Sequence, residues 1–301
     1  MDTRTQQSPD VPLILLGSHW VGPQDLKWDQ RPASAEAVFD VAPLLKDRKT
    51  IKLMAKQDRM ALAAAAGALR QAGLSESDRR DRTGVYAAAG ALAFDEEELQ
   101  MLADLCIHNG QVDAYHSASH VYQAMNPLTT FKCLPNMAVF HISVNLGMNG
   151  PYLITYPGTG QWHSALLRAW HDLADGVVDF ALVGSVAEQN NLPVGYHFDR
   201  LYGAERPPAI DCAAFWLLAC DGPQRAASTA RLLESAATYE SRGLAQWELP
   251  SLFRNRPFHC GPSEIALRLC LAQAAGDGGP FEYQCETWDG ISCRLRGQFS
   301  Q

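Results

Sequence analysis

Residues 149–164 read NGPYLITYPGTGQWHS, and this stretch decides how the chain folds. The apolar run at 151–156 predicts a strand, because its aromatic and aliphatic side chains suit a buried sheet. Pro157 and Gly158 end that strand, and from Gln161 onward apolar side chains recur at helical spacing. A strand, a sharp elbow and a helix start commonly present a nucleophile at the helix N-terminus. The elbow of this chain, residues 157–160, holds no cysteine.

The rest of the chain alternates strands with helices. Residues 58–73, DRMALAAAAGALRQAG, predict the clearest helix, which is rich in Ala and Leu and ends at a glycine. Apolar runs at 11–17, 82–89 and 177–188 predict buried strands. Because helices separate these strands, we expect an α/β fold whose sheet is covered by helices on both faces.

The remaining segments complete this pattern. Residues 1–10 are expected to be disordered. The predicted helices are at 95–107, 138–146, 161–173 and 264–273, and further strands are predicted at 210–220 and 230–237. Residues 281–297 alternate around Asp289-Gly290, which predicts a β-hairpin.

The composition excludes several classes of function. The formal charge is −8, and the basic clusters at 46–52 and 79–82 are short, so we expect no nucleic-acid binding. The apolar runs are far shorter than the ~20 residues that a membrane-spanning helix needs. The N-terminal residues are polar and show no secretory signal, which predicts a cytoplasmic protein.

The cysteines and histidines do not form a metal-binding pattern. Eight cysteines are present, none in a Cys-x-x-Cys pair, and most lie in apolar segments, which is typical of buried free thiols. His116 and His120 are spaced to share a helical face, but no third candidate ligand follows at a spacing typical of metal-binding motifs. We therefore expect no metal, no cofactor and no disulfide framework.

Four stretches of the chain carry a resemblance to a known family. They are DRMALAAAAGALRQAGL, RTGVYAAAG, LPNMAVFHISVNLGMNGP and ALLRAWHDLADGVVDFALVGSVAE. As an ordered set within residues 10–190, they resemble the β-ketoacyl synthases. The resemblance implies a thiolase-like fold of five layers, αβαβα, built from two similar halves in one compact unit. Residues 11–204 would form the first half, and residues 205–301 an abbreviated second half.

The chain departs from the nucleophile that the resemblance implies. Members of the family carry a cysteine on the elbow, whose thiolate holds an acyl chain. Counted from Gly150-Pro151, the place of that cysteine falls on Thr159, whose hydroxyl is far less acidic and has no adjacent base. The nearest upstream cysteine, Cys133, lies on another segment.

The histidines depart as well. Two histidines of the family's second half help to decarboxylate a malonyl unit that an acyl carrier protein delivers. Here His259 lies in HCGPS, which lacks the family's Gly/Thr-rich character, and the C-terminal stretch ETWDGISCRLRG holds no histidine. His163 could point toward the elbow, but a histidine at a helix start is more typically solvated or a cap partner.

A condensing-enzyme fold without its catalytic groups predicts a partner subunit. The sequence resembles chain-length factors of type II polyketide synthases, and most of all the short form of aryl polyene-type pathways. The resemblance implies no activity for the chain alone, but a heterodimer with an active ketosynthase that elongates acyl chains. In that subfamily a glutamine often replaces the cysteine. Gln161 takes this place if the alignment slips by two residues, and otherwise it is a polar residue of the first helical turn.

The same resemblance implies which residues face the partner. The strand before the elbow would pair across a two-fold axis, and the acyl carrier protein would dock mainly on the active subunit. The predicted interface residues are Pro151, Tyr152, Leu153, Ile154, Thr155 and Tyr156. Bulky side chains near the elbow would limit chain length by steric exclusion. These tunnel candidates are Phe131, Met137, Phe140, His141, Thr159 and Gln161, and ordinary core packing is the alternative for the first four.

Two other functions stay open at this point. The chain could be a malonyl-thioester decarboxylase of the kind that has Gln in place of Cys, although this chemistry still needs histidines. It could also be a catalytically silent scaffold that forms homodimers.

Overall fold

The structure is a computed structural model of the 301-residue chain. It describes residues 3–92, 96–124, 126–158, 160–202, 207–222, 228–240, 256–286 and 291–300. The strands are β1 (Thr3–Gln7), β2 (Leu13–Val21), β3 (Thr83–Ala89), β4 (Ile107–His108), β5 (Gln111–Val112), β6 (Tyr152–Thr155), β7 (Phe180–Ala187), β8 (Cys212–Cys220), β9 (Ala230–Glu240), β10 (Gly279–Glu286) and β11 (Ile291–Phe299). The α-helices are α1 (Lys56–Ala72), α2 (Glu76–Arg79), α3 (Glu96–Cys106), α4 (Ala114–Ala124), α5 (Pro127–Lys132), α6 (Met137–Leu146), α7 (Gln161–Ala174), α8 (Leu192–Tyr202) and α9 (Glu264–Ala275).

One long mixed sheet organises the molecule. Its strands follow the order β10–β11–β9–β2–β8–β7–β3–β6, and β1 lies beside β9. β3 pairs in parallel with both β6 and β7, so these three strands end at the same edge of the sheet. β8 runs antiparallel to β7 and to β2. In open sheets of this kind, ligand sites lie beyond the carboxyl ends of the parallel strands.

Helices cover both faces of this sheet. α1 and α6 pack on one face, in a core with Val85, Leu182 and Phe215. α7 and α9 pack on the other face, where Trp170 and Trp216 are fully buried. The same core also contains side chains of β9, β10 and β11. Helices therefore lie on both faces of the sheet, as the sequence predicts.

The C-terminal strands present a polar outer face. Along β11, the odd-numbered residues are buried, and the even-numbered residues are partly or fully exposed. Two of the latter, Arg294 and Arg296, donate to the carboxylate of Glu234 on β9, over 2.6 and 3.2 Å. Strict alternation of this kind is typical of a sheet with one dry and one wet face. The abbreviated second half thus ends in a surface of paired charges.

The N-terminal residues differ from their prediction. The sequence predicts disorder over residues 1–10, but Thr3–Gln7 form β1, which pairs antiparallel with β9. This run is polar and lacks the apolar periodicity by which strands are recognised in a sequence. Main-chain pairing holds it, and Thr5 Oγ1 lies 3.2 Å from Thr238 Oγ1.

The predicted C-terminal hairpin has both of its strands. β10 and β11 pair antiparallel, with Glu286 opposite Ser292. The predicted turn at Asp289-Gly290 lies outside the described residues.

Buried polar bonds anchor α7, the helix that begins at the elbow. The Tyr86 hydroxyl on β3 donates to Asp172 Oδ2 at 2.6 Å, and Arg168 Nε donates to the same carboxylate at 3.1 Å. Trp170 Nε1 donates to the carbonyl of Val11, 2.7 Å away. Burial and the bond to Asp172 raise the pKa of Tyr86 well above its usual range, so it stays a donor.

The variant Tyr86→Phe is expected to lower the free energy of unfolding by about 1–3 kcal/mol, because Asp172 is then buried with one donor fewer. Urea unfolding of the isolated chain measures this change. Tyr115→Phe is the control, since Tyr115 is 84% exposed. Equal stability of the two variants would show that the Tyr86 bond does not hold α7.

Candidate functional site

The elbow is tied to the ends of the parallel strands. Thr155, the last residue of β6, donates through Oγ1 to the carbonyl of Gln161, 3.0 Å away, where α7 begins. The Tyr156 hydroxyl accepts from the amide of Leu92, which follows β3, at 3.1 Å. The Tyr156–Pro157 peptide bond is cis. These contacts fix the strand end and the helix start against each other, as the sequence predicts for an elbow.

The described part of the elbow carries no thiol. Thr159, the predicted place of the lost nucleophile, lies outside the described residues. Cys133 follows α5 and lines a different cleft, together with Lys56 and Glu188. Burial and the nearby carboxylate of Glu98 raise the pKa of Cys133, which makes its thiol a poor nucleophile.

The histidine just beyond the elbow belongs to the core. His163 is 1% exposed, and its Nδ1 lies 3.3 Å from the Ser235 hydroxyl. Its Nε2 is buried without a hydrogen-bond partner in the part of the chain that the structure describes. Burial lowers the pKa of His163 to about 3, so the imidazole is neutral near pH 7. The expectation of a solvated or capping histidine is therefore wrong.

A cavity of about 180 Å³ opens between the elbow and α8. Its wall is formed by Ala91, Pro157, Gln189, Pro193, Val194, His197, Phe198 and Gly261. Gln189 and His197 are the polar side chains of this wall. Burial, together with the nearby Arg200, lowers the pKa of His197. The neutral imidazole and the amide can exchange hydrogen bonds with a ligand, but the described residues of this wall offer no thiol or hydroxyl.

His259 lies next to this cavity rather than in its wall. Its ring stacks on Phe198, with ring centroids 4.2 Å apart and 16° between the ring planes. Its carbonyl accepts from the Ile210 amide at 2.8 Å, and its own amide donates to the Pro208 carbonyl at 2.7 Å. The structure thus brings two imidazoles, those of His197 and His259, to the elbow side of the sheet.

The predicted interface strand is an edge strand. β6 ends the strand order of the described sheet and pairs with β3. Tyr152 is 64% exposed and Tyr156 is 41% exposed, while Leu153, Ile154 and Thr155 are half-buried. An open sheet edge that carries aromatic side chains is a ready template for pairing with another chain.

Four of the six tunnel candidates divide into two exposed and two buried residues; of the other two, Gln161 is half-buried at the start of α7 and Thr159 lies outside the described residues. Phe140 on α6 is 49% exposed and Phe131 on α5 is 45% exposed, so ordinary core packing does not fit these two residues. Met137 and His141 are buried on the inner side of α6, and burial lowers the pKa of His141. Val144 lies one turn beyond Phe140 and is 46% exposed, which extends the apolar outer stripe of α6.

The predicted pair His116 and His120 lies on α4 and joins a stack of rings. The ring of His116 lies 4.8 Å from that of His108 and 4.1 Å from that of His120. Among the residues that the structure describes, no group of three or more His, Cys, Asp or Glu side chains is arranged to hold a metal ion. In the same part of the chain, no helix combines the length and apolarity needed to cross a membrane.

Sequence reasoning misses Gln189 and His197. A usable signal exists for Gln189, because it follows the apolar run of β7 and so stands at the carboxyl end of a parallel strand. His197 lies on α8, which the sequence does not predict as an element, and its place at the cavity depends on how α8 packs.

Comparison with known proteins identifies the family. Residues 25–236 match the model of the β-ketoacyl synthase N-terminal domain. This match spans more than half of the chain, and the chain therefore belongs to the β-ketoacyl synthase family. A search of curated proteins gives no match.

Solved structures share the fold at low sequence identity. The ishigamide ketosynthase/chain length factor has a TM-score of 0.72 at 13% identity, over 97% of this chain and 100% of that chain. AntDE:AntF, a type II PKS acyl-carrier protein in complex with its ketosynthase bound to the hexaketide, has a TM-score of 0.70 at 12% identity, over 96% and 100%. A β-ketoacyl synthase from Burkholderia phymatum STM815 has a TM-score of 0.69 at 12% identity, over 97% and 100%. The predicted thiolase-like fold is confirmed.

Proposed function

We propose that this chain is a non-catalytic chain-length-factor subunit of a type II polyketide synthase. It pairs with an active ketosynthase, completes the acyl tunnel of that partner and limits the length of the acyl chain. The observation that carries this proposal is an elbow without a thiol in its described residues, placed directly after an edge strand with exposed aromatic side chains.

The interface is proposed to centre on β6 and α6. β6 is the last strand of the sheet in the described part of the chain, so its outer main-chain groups lie at the sheet edge, flanked by Tyr152 and Tyr156. Phe140 and Val144 add an apolar stripe on α6, whose inner face shares a core with Ile154 of β6. Burying these side chains against a second subunit removes apolar surface from water, which is the main source of affinity in such contacts.

The tunnel wall is proposed to come from the outward-facing aromatics. Phe131 and Phe140 are about half-exposed in the isolated chain and can reach into a partner that docks on this side. Met137 and His141 are buried at the same helix and support the wall from behind. Rigid aromatic rings stop a growing chain because a packed wall does not yield to extra methylene groups.

Two of the similar structures are described as assemblies that contain a ketosynthase. One is a ketosynthase/chain length factor, and the other contains an acyl-carrier protein bound to a ketosynthase. We extend this to an acyl carrier protein that reaches the pair mainly through the active subunit. An aryl polyene-type pathway and a cytoplasmic location complete the proposal.

Co-expression with the candidate ketosynthase tests the pairing. We expect one 1:1 complex by size-exclusion chromatography with light scattering, and elongation of carrier-bound malonyl units only when both chains are present. Self-association of this chain without binding to the ketosynthase would favour the homodimeric scaffold instead.

The variant Phe131→Ala is expected to release longer products, because it widens the proposed tunnel wall without touching the core. Mass spectrometry of the carrier-bound acyl chains measures the shift relative to the unmodified pair. Leu233→Ala is the control, since Leu233 has the same 45% exposure but lies on β9. An unchanged product distribution with Phe131→Ala would remove this residue from the tunnel.

A decarboxylase is the second candidate, and one observation favours it. His197 lines the cavity beside the elbow and His259 stacks on the wall of that cavity, so two imidazoles lie near the place where a malonyl thioester would bind. Release of CO₂ from malonyl carrier protein by the isolated chain would support this function. The expected result is no release above the level of a chain with His197→Ala.

A further inference from the structure

Two cysteines face each other across the C-terminal hairpin. Cys285 on β10 is the register partner of Cys293 on β11. Directly opposed residues of two paired strands share one face, and here it is the inner face, because each cysteine is only 3% exposed. All eight cysteines of the chain are free thiols in the structure. The hairpin therefore carries a pair of thiols that the proposed function does not use.

The backbone of this pair already suits a disulfide. Opposed residues of an antiparallel pair have Cα atoms about 4.5–5.5 Å apart, depending on which of the two alternating positions they occupy. A disulfide of ordinary geometry joins Cα atoms about 4.4–6.8 Å apart. Both alternating positions fall within that range, so a bond between Cys285 and Cys293 requires no movement of either strand.

Cys212 and Cys260 form a second pair of neighbouring thiols, but their backbones are offset. Cys212 Sγ lies 3.9 Å from the carbonyl oxygen of Cys260. Ala209 pairs in parallel with His259, so Cys212 lies two residues past the position opposite Cys260. Regular strand geometry puts such Cα atoms about 8 Å apart, which is too far for a disulfide. The hairpin pair is therefore the favoured site of oxidation.

A buried carboxylate lies beside one of the two hairpin thiols. The Cys285 thiol donates a hydrogen bond to Glu264 at the start of α9, and Arg256 forms an ion pair with the same carboxylate. Burial and the nearby Glu264 carboxylate raise the pKa of Cys285 well above its usual range. Burial also raises the pKa of Glu264. Cys285 thus stays protonated until its sulfur reacts, and Glu264 is placed to accept the proton at that moment.

The hairpin thiols are close to the elbow along the chain. Ile291, the first residue of β11, packs against Gly160, since a Cβ atom on Gly160 would lie 2.8 Å from Ile291 Cβ. Cys293 follows Ile291 by two residues on the same face of the strand. A covalent bond at Cys293 would therefore fix the end of β11 that covers the elbow.

We propose that Cys285 and Cys293 form a peroxide-sensitive dithiol that closes to a reversible cross-strand disulfide. The Cys293 thiolate attacks hydrogen peroxide, the O–O bond breaks, and Cys293 becomes a sulfenic acid as hydroxide leaves. The Cys285 sulfur then attacks Cys293 Sγ, the S–O bond breaks, and the proton of Cys285 passes to Glu264 and leaves with the hydroxyl as water. Two thiols are oxidised, and one peroxide is reduced to two waters. The inference goes beyond the proposed function, because it requires neither a partner subunit nor an acyl chain.

Peptide mapping of the full-length chain tests the bond directly. The chain is treated with hydrogen peroxide, alkylated under denaturing conditions and digested with a glutamate-specific protease. Cleavage after Glu282 and Glu286 separates YQCE, which holds Cys285, from TWDGISCRLRGQFSQ, which holds Cys293. We expect mass spectrometry to find these two peptides joined after oxidation and separate after treatment with dithiothreitol.

Three variants separate the thiol pair from its surroundings. Cys293→Ala is expected to abolish the joined peptides, whereas Cys212→Ala is expected to leave them unchanged. Glu264→Gln is expected to slow closure of the disulfide by at least about tenfold, because it removes the proton acceptor. Oxidation should raise the midpoint temperature of unfolding of the unmodified chain by about 3–8 °C and leave that of Cys293→Ala unchanged.

Two results would overturn the proposal. One is the absence of the joined peptides after prolonged exposure of the unmodified chain to peroxide, and the other is a disulfide between Cys212 and Cys260 in their place. Co-purification with the ketosynthase is a separate measurement, which Cys293→Ala is expected to leave unchanged. Failure of the dithiol and failure of the pairing are therefore distinguishable.

Discussion

A chain that carries aspartate at both Phe140 and Val144 is expected to lose its ketosynthase partner. The two side chains lie one turn apart on the outer stripe of α6 and are 49% and 46% exposed in the isolated chain. Docking would place two carboxylates against an apolar surface without counter-charges, and such burial is strongly unfavourable. We expect the dissociation constant to rise by at least about 100-fold, or about 2.7 kcal/mol.

Co-purification of the two subunits, followed by surface plasmon resonance on the separated chains, measures this effect. Leu233→Asp is the matched control, because Leu233 is 45% exposed on β9, among the C-terminal strands. The double variant should keep the unfolding midpoint of the unmodified chain, since both changes are on the surface. A double variant that still binds with unchanged affinity would place the interface elsewhere and remove the main support for the proposed function.

Acid is expected to destabilise the isolated chain through His163. Burial lowers the pKa of this residue in the folded chain from its ordinary 6.5 to about 3. Below pH 6.5 the unfolded chain therefore takes up a proton that the folded chain cannot accept. This difference costs about 2 kcal/mol of stability between pH 6.5 and pH 5 and more at lower pH. In His163→Gln, urea unfolding at pH 7 and pH 5 should show this loss removed.

Substitution of Asp58 is expected to change the acid sensitivity of the chain in the opposite direction. Its carboxyl group caps the start of α1 and is buried, and burial raises its pKa from 3.8 to about 7. The folded chain then holds a proton that the unfolded chain releases, so this group adds stability as the pH falls from 7 toward 3.8. Asp58→Asn should therefore make the chain more sensitive to acid, whereas His163→Gln should make it less sensitive. Identical pH dependence in both variants would contradict the burial of the two groups.

The elbow and its neighbours could be predicted because their signals are local. The run before Pro157, the break at Gly158 and the helical spacing after Gln161 each reflect backbone preferences that hold wherever the segment lies. The predicted helix at 58–73 has the same character, since its Ala and Leu content and its final glycine specify both its extent and its end.

The missed features depend on packing between distant segments. His163 looks like a solvated histidine in sequence, and only the approach of β9 behind α7 places Ser235 against it and excludes water. The cavity beside the elbow combines residues that follow β3, β6 and β7 with others from α8 and with Gly261 in the turn before α9, so no single motif reports it. β1 is recognisable only through its pairing with β9.

The ion pairs of Arg294 and Arg296 with Glu234 make the outer face of the C-terminal strands unsuited to binding an apolar partner. Guanidinium and carboxylate groups keep this side of the molecule hydrated. In contrast, β6, at the other end of the strand order, is an edge strand with exposed aromatic side chains. A subunit that can associate through one edge strand only, and is charged and hydrated elsewhere, forms a closed pair and does not form a filament. In the proposed heterodimer, the abbreviated second half would therefore take no part in further association.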